Sequence, residues 1–158
     1  MKRLWAPWRM AYILKARVPG CFLCDSIQGK ADQKNLILRR GHTCALIMNR
    51  YPYNNGHLMV APYRHVSNLP ALREAEQLEM MQLASSACVA LKKTLRPQGF
   101  NLGLNIGQAA GAGLKDHIHL HIVPRWPGDT NFMPVLAGVK VIPQSLQSLW
   151  RQLSQALS

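Results

Sequence analysis

The chain has 158 residues, 48% of them hydrophobic and 16% charged, with 19 Lys and Arg against 7 Asp and Glu. That length makes one domain, residues 1–158, the simplest expectation, and the composition excludes a disordered chain, a collagen-like repeat and a cysteine-dense scaffold. No apolar run approaches the roughly 18 residues of a membrane span, and Arg9 breaks the run behind Met1-Lys2-Arg3, so no secretory leader is expected and the protein reads as soluble and cytoplasmic.

The net charge is +12, and residues 1–40 alone hold nine Lys and Arg against two Asp. Such a field favours nucleotides, nucleic acid, polyphosphate or an acidic membrane surface. A solvated basic surface accounts for it equally well.

Residues 1–34 form a basic lead-in with Trp5, Trp8 and Tyr12, read as packing anchors, and the pair Cys21/Cys24. Residues 35–126 form the core, and residues 127–158 a C-terminal extension. Leu36–Leu38 and Cys44–Met48 are predicted as strands split by Arg40-Gly41, and Asn54-Asn55-Gly56 as a turn before a strand over His57–Ala61. Pro70–Thr94 is predicted as the long helix. Met80, Leu83, Ala84, Ala87, Cys88, Leu91 and Leu95 give it one apolar stripe, and Pro97 and Gly99 stop it. Phe100–Ile106 follows as a strand, Gly107–Gly113 as a small-residue loop, His117–Pro124 as a strand and Gln144–Leu157 as a short helix. Strands gathered around one long helix predict an α+β fold with a mainly antiparallel sheet.

The informative stretch is His117-Ile-His119-Leu-His121-Ile-Val-Pro124-Arg125, which holds half of the six histidines. In a strand His117, His119 and His121 share one face while Ile118, Leu120 and Ile122 enter the core. Three imidazoles at period two point to function rather than packing. His117 and His121 stand about 13 Å apart along such a strand, too far for one metal, so their roles must divide. Neutral imidazole is a competent nucleophile toward phosphorus. The loop Gly107–Gly113 can bring backbone N–H groups to phosphate oxygens, although a glycine-rich loop alone is more often a tight turn. Cys21-Phe-Leu-Cys24 has the spacing of a zinc half-site, and the same spacing fits a redox pair or two packing thiols.

These residues resemble the histidine triad (HIT) superfamily of nucleotide hydrolases and transferases, whose signature is His-φ-His-φ-His-φ-φ with φ apolar. Asn55-Gly56-His57-Leu-Met-Val-Ala-Pro62 with Arg64-His65 is similar to the strand before that family's long helix, and Asn105-Ile-Gly107 to its phosphate-contacting segment. Leu4-Trp5-Ala6-Pro7-Trp8-Arg9-Met10 and Pro124-Arg125-Trp126 through Phe132 resemble a narrower branch that contains bacterial diadenosine tetraphosphate (Ap4A) phosphorylases.

The resemblance implies a HIT-like fold and cleavage of dinucleoside polyphosphates through a covalent nucleotidyl-His119. It implies that His121 and His57 contact the phosphate under attack, with Asn105, Gly107, Gly111, Ala112 and Gly113 at neighbouring oxygens. Arg125 is a further candidate for phosphate. It also implies structural zinc on Cys21, Cys24, His65 and His117, and a homodimer. Gly113 departs from the Gln or Ser usual four residues before the first triad histidine, which leaves water and inorganic phosphate both open as acceptor. A nucleoside phosphoramidase of the same superfamily, or a non-catalytic zinc-stabilised module binding nucleotides or nucleic acid, are the alternatives. Cys44 and Cys88 are expected in the core, His42 at the surface and Asp116 in a turn, while Trp126 and Phe132 could stack on a base or be buried at a subunit contact.

Overall fold

The computed structural model describes residues 20–129 and 142–158. Trp5, Trp8, Tyr12, the 4–10 motif and Phe132 lie outside the described residues. Two short helices, α1 (Phe22–Gln28) and α2 (Asp32–Asn35), precede the strands β1 (Ile37–Arg40), β2 (Cys44–Met48) and β3 (Leu58–Pro62). The long helix α3 (Glu74–Leu95) follows, then β4 (Gly99–Leu104), β5 (Leu120–Arg125) and the C-terminal α4 (Leu146–Leu157). Every strand pair is antiparallel in the order β1-β2-β3-β5-β4, the expected α+β arrangement.

Both faces of the sheet are covered over β2 and β3, which are buried along their whole length. On one face Leu46, Met48, Leu58, Val60, Leu120 and Ile122 meet the predicted stripe of α3, led by Met80, Leu83, Ala87 and Leu91, and Leu149 and Leu153 of α4. Trp150 fixes α4 by donating from its indole N–H to the Ile37 carbonyl at 2.8 Å. On the other face Ile37, Ala45, Ile47, Met59 and Ala61 meet Cys21, Leu23 and Ile27 of the α1 region.

Helix α3 begins at Glu74 rather than Pro70 because Asn68 caps a separate 3-10 turn, Leu69–Ala71, by accepting from the Ala71 amide. The Arg73 amide then donates to the Glu76 carboxylate, which also takes two bonds from Arg64. Strand β1 starts one residue late, since Leu36 sits at φ 61 where it closes α2. Strand β4 stops at Leu104, and the small-residue loop holds a 3-10 turn at Gln108–Ala110.

The shift that bears on the histidines is at β5, which starts at Leu120 and not at His117. Continuing the β3–β5 register would set Ile118 opposite Pro62, which has no N–H to give the ladder. The Ile118 amide instead donates to the Val66 carbonyl at 2.7 Å, beyond the end of β3.

Candidate active site and metal centre

His121 lies across from Met59, on the sheet face opposite α3. His57 precedes Leu58 and shares that face. Ile118, Leu120 and Ile122 point the other way into the main core, as the alternation predicted, although only His121 of the three histidines lies inside β5. His117, His119 and His121 are 0%, 7% and 8% exposed. The ring centroids of His119 and His121 are 4.7 Å apart and those of His57 and His121 are 5.0 Å apart.

Hydrogen bonds settle which nitrogens carry protons. His119 Nδ1 lies 2.8 Å from the His117 carbonyl oxygen. That oxygen only accepts, so Nδ1 carries the proton and Nε2 keeps a lone pair in the neutral ring. The Tyr53 amide donates to His57 Nδ1 at 3.0 Å, with Asn49 Nδ2 at 3.3 Å from the same atom. His57 Nε2 must then bear the proton, and it donates to His121 Nδ1 at 2.9 Å. His121 is thereby fixed with its proton on Nε2, where Asn105 lies at 3.4 Å and must turn its carboxamide oxygen inward to accept.

Burial, then the proximity of His119, pushes His121 down to about 4. Burial also lowers His119, although its bond to the His117 carbonyl opposes this. At neutral pH the site therefore holds uncharged imidazoles: one with a bare nitrogen, one presenting an N–H. His57, 1% exposed, hydrogen-bonds directly to His121.

Cys21, Cys24, His65 and His117 each offer one ligand atom, and these four atoms lie within 4.8 Å of one another. His117 Nδ1 is 3.2 Å from Cys21 Sγ and 3.4 Å from Cys24 Sγ, and His65 Nδ1 is 3.3 Å from Cys24 Sγ. A tetrahedral zinc with ordinary Zn–S and Zn–N bonds has S···N edges of about 3.5 Å. His117 Nε2 donates to the Pro62 carbonyl at 2.9 Å, which leaves Nδ1 unprotonated for a metal. The four residues that the family resemblance implied are thus brought together with a donor set suited to zinc.

Gly107 and Gly111 take φ of 82 and 81, which favours glycine, and the loop around them is exposed. Ala112 and Gly113 line an open surface depression with Gln108, Leu114, Lys115 and Asp116. Arg125 is held by Asp129 through Nε and Nη2 and by Asn101 through Nη1. His42 is exposed and Asp116 lies in a turn, as expected. Sequence reasoning passed over Asn49 and Tyr53. Tyr53 is 50% exposed, with its ring 4.5 Å from His57 and 5.6 Å from His121. The only signal for either was proximity to the turn at Asn54-Asn55-Gly56.

The HIT domain family profile matches residues 30–128. The chain is 43% identical to an AP-4-A phosphorylase of Mycobacterium tuberculosis over 162 aligned positions, covering 98% of this chain and 83% of that protein. Among solved structures, a Zn-bound histidine triad family protein from Mycobacterium smegmatis superposes with a TM-score of 0.71 at 27% identity, covering 87% of this chain and 93% of that one. A hypothetical histidine triad nucleotide-binding protein from Sulfolobus tokodaii has the same fold, with a TM-score of 0.68 at 23% identity over 87% and 91% of the two chains.

Proposed function

The chain belongs to the histidine triad (HIT) family, and from that premise we propose that it cleaves dinucleoside polyphosphates such as Ap4A at a phosphoanhydride bond. His119 Nε2 attacks the α-phosphorus. The new N–P bond forms as the bond from phosphorus to the bridging oxygen breaks, and ATP departs with the electron pair, leaving adenylyl-His119. Inorganic phosphate then attacks the same phosphorus and releases ADP, which frees His119. Phosphate is the preferred acceptor because of the 43% identity to an AP-4-A phosphorylase; water in its place would give AMP.

The observation that carries the reading is the bond from His119 Nδ1–H to the His117 carbonyl, which aims a lone pair out of a neutral ring. His121 supplies an N–H to the oxygen on which charge develops, and His57 holds it in the donating tautomer. Asn105 and the 107–113 loop offer further donors to neighbouring oxygens. Zinc on Cys21, Cys24, His65 and His117 would act structurally, tying the α1 region to the sheet. Among the described residues β4 is an edge strand, and the exposure of Leu102 within it and Ile106 just beyond it, 43% and 44%, supports a homodimer joined along that strand.

The test is incubation of wild type and His119→Ala with Ap4A labelled at the α-phosphate. Acid-labile label on wild type alone is expected, with ADP and ATP formed when phosphate is present. Equal label on both proteins removes His119 from this role, and equal rates with and without phosphate make water the acceptor.

A further inference from the structure

The histidine face of the sheet runs on to β4, where cross-strand pairing sets Gly103 beside His121 and Asn101 beside Val123. Asn105, two residues along on the same side, reaches His121 Nε2. Arg125 closes the far end of this strip by donating to Asn101 Oδ1 at 2.7 Å while paired with Asp129.

Glycine inside a strand weakens it, through chain entropy and the missing side chain. Two ordinary reasons for tolerating one are absent at Gly103. Its φ is not in the left-handed region, and a methyl group placed on it would meet no atom within 4 Å among the described residues. Gly56 is the contrast: its φ is 78, and the side chains of Leu91, Leu95 and Pro124 crowd the same place. Among the described residues of one subunit, neither backbone nor packing calls for glycine at position 103. What it provides is an open floor directly beside His121.

On the other flank of His121 the face is filled, by Met59 and Ile47 beneath the α1 region and by the Tyr53 ring. A dinucleoside polyphosphate extends both ways from the phosphorus under attack, so one of its two arms must leave across the open side. We propose that Gly103 is a specificity-determining position, keeping clear the floor on which the departing part of the substrate lies between His121 and Arg125. The strip suits a phosphate chain, with a carboxamide on either side of the glycine and a guanidinium at its end. This rests on the dinucleotide reading above and extends it to the leaving group.

The test uses the His119→Ala background, which holds substrate without turning it over. AMP and Ap4A are titrated calorimetrically into that variant and into versions carrying Gly103→Ala or Gly103→Val. Valine is expected to weaken Ap4A relative to AMP at least tenfold and alanine by less, because AMP lacks the departing arm. The Tm of Gly103→Val should equal or exceed that of its parent, since valine suits a strand. A relative change under twofold, an equal loss for both ligands, or a lowered Tm overturns the proposal. Failure of the parent to bind Ap4A, with no turnover of Ap4A by wild type, overturns the dinucleotide reading itself and this proposal with it.

Discussion

Replacing Glu79 with Gln should loosen the outer edge of the sheet by an amount the structure sets. Its carboxylate accepts from the amides of His42, Thr43 and Cys44 at 2.7, 2.5 and 2.8 Å and from the Thr43 hydroxyl at 2.5 Å, which ties the β1–β2 turn to α3. Burial alone would raise this carboxyl, but the four bonds outweigh it and hold it at about 2 against an ordinary 4.5. That displacement corresponds to about 3 kcal/mol, and partial exposure reduces it to about 2 kcal/mol. Glutamine offers one oxygen where two accepted, so buried donors go unmet. Glu79→Gln should therefore lose about 2 kcal/mol in urea unfolding at pH 7. The folded value lies below the unfolded one, so the wild-type advantage is complete above pH 4.5 and fades as pH falls toward 2. A variant as stable as wild type at pH 7, or a gap that stays constant from pH 5 to pH 3, refutes the reasoning.

Other outcomes follow from other sites. His121 should titrate near 4 by NMR while an unfolded imidazole titrates near 6.5, so this residue erodes stability as pH drops from about 6.5 toward 4; a folded-state titration at 6.5 removes the effect. Freshly purified protein should carry about one zinc equivalent by elemental analysis. Cys21→Ser should lose that zinc and melt at a lower temperature, and an unchanged metal content ends the ligand assignment. Leu153→Ala, at a fully buried position of α4, should cost about 2–5 kcal/mol in urea unfolding; a loss under 1 kcal/mol would mean that α4 does not complete the core. Gly41→Ala should also destabilise, because a methyl group there collides with the Glu79 carboxylate.

Period and punctuation made much of the fold readable. Strand β2 was placed to the residue because Arg40-Gly41 precedes it, and the apolar stripe of α3 gave the packed face of the helix. The helix start was misplaced because Pro70, a residue suited to a first helical turn, belongs to the separate 3-10 turn that Asn68 caps, and the bond from the Arg73 amide to Glu76 marks the true start. The end of the triad strand was invisible for a similar reason: whether Pro62 interrupts a ladder depends on what lies opposite it. The triad itself stood out from spacing alone, and family likeness supplied Cys21, Cys24, His65 and His117 as one cluster. The ordering of protons through Tyr53, His57 and His121 was beyond the sequence, because it depends on hydrogen-bond directions between segments far apart in the chain.

His117 takes part in both centres. Its ring sits among the thiols, while its own carbonyl accepts from the imidazole of His119 two residues on. The proposed metal site and the proposed nucleophile are thus joined through one residue, so a shift of the thiol pair is transmitted to the ring of His119.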